Sequence, residues 1–287
     1  MKLRWLTRRK GTKKQRGTRF PLVPRAKFQS VKHKPSWKSR PAYILKQDKV
    51  QEAVFEDGQV KPVEDGELKE AGSLNRGYKT PGQTCPDLTP TKMVQRQEIA
   101  EKIGGGTVLE AYAGKGELSD KVYAKSDADK IVMVDKDKKL LEKADKRLDG
   151  KVHHETIASD NVEWLENEMK PEQLKNLKLV DFDAFGSPAK PMRSFFKHFP
   201  IRHKMFVTVT DGSKIFLGYK KGYDAMNWLR QNYGIQIKTQ GTREDQIRIL
   251  DAFMKAQGQV YGFNIKPVNV AYGKHHAVYA GYEITPK

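Results

Sequence analysis

From Thr91 onward the chain alternates apolar runs with amphipathic ones, and that rhythm restricts it to a parallel sheet wrapped in helices. "TKMVQRQEIAEKIGGG" places Met93, Ile99, Ala100 and Ile103 at helical spacing, and the glycines halt it. "TVLEAYA" (107–113) reads as a buried strand, followed by a glycine turn and a helix through about Lys125. "KIVMVDKD" (130–137) is a second strand, and "KKLLEKADKRL" (138–148) is a helix with Leu140, Ala144 and Leu148 on one face. "VHHETIAS" (152–159), "LKLVDFDAF" (177–185) and "KMFVTVTD" (204–211) supply three more strands. "DNVEWLENEM" and "PMRSFFKHF" are the helices between them. Strands joined through helices lie parallel, with helices on both faces of the sheet. The end differs. "TREDQIRILDAFMKAQG" opens on a capping box, Thr242 with Asp245, and closes at Gly258, with Ile247, Leu250 and Met254 sharing a face. "PVNVAYGKHHAVYAGYEI" reads as two strands about Gly273 and Lys274, with Val278, Ala280, Tyr282 and Ile284 alternating as in a half-buried strand. The expectation is an α/β domain over 89–287, five parallel strands closed by an antiparallel hairpin.

Upstream the character changes. Residues 1–40 hold fifteen Lys or Arg and no acid, so fifteen of the nineteen excess positive charges sit there. Trp5, Phe20, Phe28 and Trp37 are interleaved with them. Cations neutralise phosphates and rings stack on bases, so 1–45 reads as a basic, disordered, nucleic-acid-binding tail. A solvated tail that only aids solubility is the other reading. A transit peptide fits less well, because the stretch is Lys-rich and Ser-poor. Residues 51–70 reverse the sign, with seven acids against two lysines, and "EDG" suits a hairpin turn. Residues 46–88 are therefore expected to form an acidic, Gly- and Pro-rich linker or small subdomain. No apolar run is long enough for a membrane helix, and no apolar segment suggests a secretory signal. The single cysteine, Cys85, excludes an internal disulfide and a thiolate zinc cluster. The expected setting is cytoplasmic, with no membrane and no obligatory protein partner implied.

"VLEAYAGKGELS" carries the densest chemistry: an apolar strand, Glu110, Tyr112, Gly114 and Gly116, then a helix. Glycines let a backbone approach a ligand, and a helix N-terminus offers free N–H groups. Asp135 ends the next strand, 21 residues after Gly114, where an acid can accept from a ribose diol. Asp160 ends the third strand with Asn161 beside it. Three successive strand ends thus present polar groups on the edge where open α/β sheets bind ligands. Taken singly, Glu110 and Asp160 also read as a surface acid or a helix cap. A dinucleotide fingerprint wants a third glycine where Ser119 stands, which disfavours an NAD enzyme.

Acid-x-aromatic-x-Gly-x-Gly, with acids after strands two and three, resembles the class I methyltransferases that use S-adenosylmethionine (SAM). The resemblance covers about 89–287. It implies a Rossmann-like class I methyltransferase fold and SAM as cofactor. It implies that Glu110, Gly114 and Gly116 line the methionine end, and that Asp135 holds the ribose. It places Asp160, with Asn161, at the adenine and Tyr112 near the sulfonium.

"VDFDAFGSP" (180–188) ends the fourth strand on that same edge. An exocyclic base amine is a poor nucleophile, since its lone pair is delocalised into the ring. An oxygen that accepts its N–H orients the lone pair, and an aromatic side chain stacks on the flipped base. Asp183, Ala184, Phe185 and Gly186 resemble the "D-P-F-G" of the family that mono- and dimethylates guanine N2 in tRNA, with Ala184 in place of its proline. "VTVTDG" is similar to that family's "VTATD". The resemblance implies that Asp183 accepts from guanine N2 or N1 hydrogens and that Phe185 stacks. The alternative for Asp183 is a cap on the next helix, and Asp181 reads as a supporting acid. Cytosine C5 chemistry would need a cysteine after the fourth strand, and adenine N6 chemistry would need D-P-P-Y or N-P-P-Y. His153 with His154, and His275 with His276, sit adjacent and point apart, so no metal site is expected. The expected activity is methylation of an exocyclic amine in RNA, most specifically guanine N2 in tRNA. DNA or rRNA amine methylation, and a non-catalytic nucleic-acid binder with a degenerate SAM fold, are the alternatives.

Overall fold

The computed structural model describes residues 39–46, 49–56, 59–62, 68–69, 90–213, 223–235, 237, 241–273 and 277–287. Four strands come first: β1 (Ser39–Lys46), β2 (Lys49–Glu56), β3 (Gln59–Pro62) and β4 (Leu68–Lys69). One correction follows: residues 39–45, read as tail, belong to a strand. In the stretch expected to be a linker or small subdomain, β2, β3 and β4 are sheet. Alternation in "SRPAYILK" and "KVQEAVFE" is weak, but each supplies the other with a complete antiparallel ladder from Ser39 opposite Glu56 to Lys46 opposite Lys49. Glu56 faces Gln59 across the expected "EDG" hairpin.

After α1 (Pro90–Ala100) come β5 (Thr107–Ala111), α2 (Glu117–Lys121), β6 (Lys130–Asp135), α3 (Lys138–Leu148) and β7 (His153–Ala158). Then follow α4 (Asn161–Glu163), β8 (Leu177–Asp183), α5 (Ala189–His198) and β9 (Met205–Asp211). Last come α6 (Asp224–Tyr233), α7 (Arg243–Tyr261), β10 (Phe263–Tyr272) and β11 (Val278–Pro286). The eleven strands form one sheet in the order β3-β2-β1-β10-β11-β9-β8-β5-β6-β7, with β4 beside β2. Strands β5 to β9 run parallel, as expected, and β11 lies antiparallel between β9 and β10. β1 joins the far side of β10 in parallel.

Strand parity sorts the core. Leu109, Ala111, Val180 and Phe182 face one layer with Phe195 of α5, Leu229 of α6 and Phe253 of α7. Val108, Ile131, Met133 and Leu179 face the other, with Ile99 of α1, Leu118 of α2 and Leu141 of α3. Each Val, Leu, Ile, Phe or Met side chain so removed from water contributes about 1.5–3 kcal/mol. Both faces of the terminal hairpin are covered, so the half-buried alternation expected for Val278 to Ile284 is replaced by burial of Tyr279 and Gly281 as well. α7 does not close at Gly258 but continues to a left-handed cap at Gly262. Gly258 serves packing instead: a Cβ there would lie 2.6 Å from the Phe263 carbonyl oxygen. No helix among the described residues is long and apolar enough to cross a membrane.

Candidate active site

The chain leaves β5 through a tight loop. Tyr112 adopts φ 67°, rare for a residue with a side chain, and its N–H and that of Ala113 both reach the Val134 carbonyl of β6. A backbone held in that region stores roughly 1–3 kcal/mol, the kind of strain that gathers at ligand sites. Gly116 is glycine for two reasons: its φ is 69°, and a Cβ would stand 2.8 Å from that of Ala144 on α3. α2 is only five residues long, much shorter than the expected helix through Lys125, with a single further turn at 123–125. Ser119 of α2 donates to the Glu110 carboxyl, which is 1% exposed. Burial pushes the Glu110 pKa up to about 8, opposed by the Ser119 bond and helped by Asp181 and Asp183. Glu110, expected at the methionine end, is thus held under the loop by Ser119.

Asp135 organises the same loop from β6. Its carboxylate accepts from Gly114 N–H and Asp137 N–H, each at 2.9 Å. A carboxylate has about four lone-pair positions, so capacity remains for hydroxyl donors. At the end of β7, Asp160 caps α4, accepting from Val162 and Glu163 N–H through one oxygen. Its capping role, left open above, is thus part of its place in the structure. The neighbouring Asn161 is buried, and its Oδ1 has no hydrogen-bond partner. The Tyr112 ring lies by both acids: burial, then Asp160 and Asp135, push its pKa up to about 12.

Asp183 ends β8 and stands on the Glu110 face of the sheet, where Asp181 is the cross-strand neighbour of Glu110. Its Oδ2 meets Lys92 Nζ at 2.5 Å, while its Oδ1 is buried without a partner. It does not cap α5, whose first turn follows Pro188 with no side-chain cap. Ala184 is buried. Phe185 is 63% exposed, the one large hydrophobic side chain so exposed among the described residues. The loop is latched to the end of β9, since Gly212 N–H reaches Gly186 O at 3.2 Å. A Cβ at Gly212 would collide with the Phe185 carbonyl. Gly186 itself has open space around its Cα.

These residues gather at the carboxyl ends of β5, β6, β7 and β8, where strand order reverses between β5 and β8. Ligands bind open α/β sheets at such a switch point. No protein-family description matches the chain, and no curated protein matches it. Solved structures do. Trm1 from Pyrococcus horikoshii, in complex with S-adenosyl-L-methionine, superposes with TM-score 0.55 at 13% identity. The match covers 72% of this chain and 58% of that one, so the chain spans less than two thirds of that protein. The chain has the class I methyltransferase fold. A dimethyladenosine transferase from Plasmodium falciparum matches with TM-score 0.41 at 12% identity, over 68% of this chain and 61% of that one. The 23S rRNA methyltransferase ErmE matches with TM-score 0.41 at 14% identity, over 71% and 69%.

Within this methyltransferase fold, α1 supplies what the sequence reading missed. Its buried face is polar at the first turns: Thr91, Lys92, Gln95 and Arg96, before Ile99 and Ala100. Arg96 grips Asp181 with two bonds, 2.9 and 2.8 Å, and also reaches Thr210 at 3.0 Å. Burial alone would pull the Arg96 pKa down, but Asp181 outweighs it and the guanidinium stays firmly charged. Tyr123 donates to Asp181 as well, and burial beside that acid pushes its pKa well up. Gln95 and Asn269 of β10 complete the seam. Gly281 allows the close approach, since a Cβ there would collide with Ile99 and Asn269. A buried row of acids on β8 was the available signal, because such acids demand cations from whatever packs above them. Among the described residues no group of three His, Cys, Asp or Glu suits a metal. His154 bonds Val152 O and Asp145, and His275 and His276 lie outside the described residues, as do Cys85 and the basic segment 1–38.

Proposed function

We propose that this chain is a SAM-dependent methyltransferase acting on an exocyclic base amine in RNA, most specifically guanine N2 in tRNA. One observation carries the reading: Asp183 keeps a buried, unpartnered acceptor oxygen beside the exposed ring of Phe185. An orphaned buried acceptor is costly, and it is retained where a ligand completes it. An amine N–H is a donor of the right kind. The fold, the "DAFG" and "VTVTDG" stretches and the likeness to a SAM-bound protein support the same reading.

The residues present fit the cofactor. Gly114 and Gly116 would leave room at the methionine end, Asp135 would take the ribose hydroxyls, and Asn161 Oδ1 would accept from the adenine amine, with Asp160 flanking it. Tyr112 would lie near the sulfonium. When bound, SAM supplies an electrophilic methyl group. Asp183 holds the amine by one N–H, turns its lone pair out of conjugation and receives the proton released as the N–C bond forms. Phe185 stacks on the unpaired base and fixes its plane. On this reading the basic segment 1–38 grips the phosphate backbone. A cytoplasmic setting fits that substrate.

The test is transfer of radiolabelled methyl groups into total tRNA, rRNA and DNA, followed by digestion to nucleosides. N2-methyl- or N2,N2-dimethylguanosine from tRNA is the expected product. Label in another nucleoside retains the cofactor and replaces the substrate. No label, with no SAM binding by calorimetry, overturns the reading.

A further inference from the structure

Two cations on α1 face two carboxylates on β8. Lys92 and Arg96 are four residues apart, a rise of about 6 Å on one helix face. Asp183 and Asp181 are two apart on a strand, roughly 6.6 Å on one sheet face. The spacings match, yet the pairs differ in kind. Arg96 takes both oxygens of Asp181, and Tyr123 adds a third bond, so both oxygens of that carboxylate are occupied. Lys92, itself 1% exposed, meets Asp183 through Oδ2, and Oδ1 of that carboxylate is buried without a partner. A guanidinium forks across both oxygens of a carboxylate, whereas an ammonium is a point donor. The lysine therefore fixes the carboxylate in place without consuming its second oxygen.

We propose that Lys92 is a positioning residue for methyl transfer: its ammonium holds Oδ2 of Asp183 and so presents Oδ1 to the substrate N–H. This rests on the methyltransferase reading above. The other groups that face Asp183 are consistent with the role. Arg96 approaches from α1, Glu110 from β5 and Asp181 from β8, while Thr210 of β9 is its cross-strand neighbour. Arg96 is committed to Asp181 and Glu110 to Ser119. The Tyr279 ring of β11 lies 6.0 Å from Lys92 Nζ.

The test is a double-mutant cycle on the full chain: wild type, K92M, D183N and K92M/D183N. For each, kcat for methyl transfer, SAM affinity by calorimetry and Tm are measured. K92M is expected to lower kcat about tenfold or more, since small misplacements at a reacting centre are that costly. SAM affinity is expected to stay within about twofold, because no cofactor-facing group changes. K92M is expected to cost nothing further in the D183N background. K92Q, neutral and of similar length, is expected to lower kcat as well and serves if K92M does not fold. K92R should not restore turnover, since its fork claims Oδ1. Wild-type kcat in K92M, or multiplicative losses in the double variant, would overturn the proposal. A wild-type protein that methylates no nucleic acid would overturn the methyltransferase reading itself.

Discussion

At the scale of single residues, the roles proposed for Asp183 and Phe185 at the end of β8 predict different losses. Asp183→Ala is expected to leave SAM affinity in place and lower kcat by about 10²-fold or more. Equal loss of both in calorimetry and turnover would make Asp183 a structural acid. Phe185→Ala should act on the RNA, weakening binding by ~1–3 kcal/mol of lost stacking while leaving Tm unchanged. Glu110 makes a prediction about stability. Its native pKa, pushed up to about 8, means the folded state binds a proton that the unfolded chain releases near the ordinary carboxylate range. Its contribution is thus full at acid pH and is lost as pH rises toward and through 8. Thermal unfolding from pH 5 to 8 should show the wild type losing stability relative to Glu110→Gln, whose amide can still accept from Ser119. Parallel curves would mean that the carboxyl is not held protonated. Much of this was legible: glycines, acids and an aromatic at successive strand ends point to one edge. Lys92 and Arg96 were not. Isolated polar residues in an amphipathic helix read as its wet side, and only the acids at 181 and 183 on an otherwise apolar strand hint that the polar side faces inward.

At the scale of elements, α1 is the piece whose fit decides the geometry. It rests against the terminal hairpin through Gly281, and Gly281→Ala would force Ile99 and Asn269 aside. We expect a loss of about 1–3 kcal/mol in denaturant unfolding, as for other overpacked cores. Turnover should fall further than stability explains, because Lys92 moves with the helix. The strand and helix boundaries were readable to within a few residues where apolar periodicity is strong, as in α3. They failed where packing overrides local signals. Gly258 looks like a helix stop, yet α7 runs through it because Phe263 and Ile265 press against that position. Ser119, the missing third glycine, finds its reason only in Glu110.

For the whole molecule, charge and sheet continuity set different limits on the same N-terminal region. Removing residues 1–38 should weaken RNA binding and flatten its dependence on salt, because fewer phosphate contacts release fewer counterions. An unchanged slope would take the basic segment out of RNA binding. That deletion stops at Ser39 for a reason the sequence hid, since "SRPAYILK" has little strand character until β2 and β10 flank it. β1 covers the outer rim of β10. Cut the chain a few residues later, and β10 becomes a naked border whose unpaired N–H and C=O groups invite another copy to add its own strand. A truncation past Lys46 is therefore expected to self-associate in sedimentation, while the cut before Ser39 stays monodisperse. What looked like the last part of a tail is the selvedge that keeps the sheet from unravelling into its neighbours.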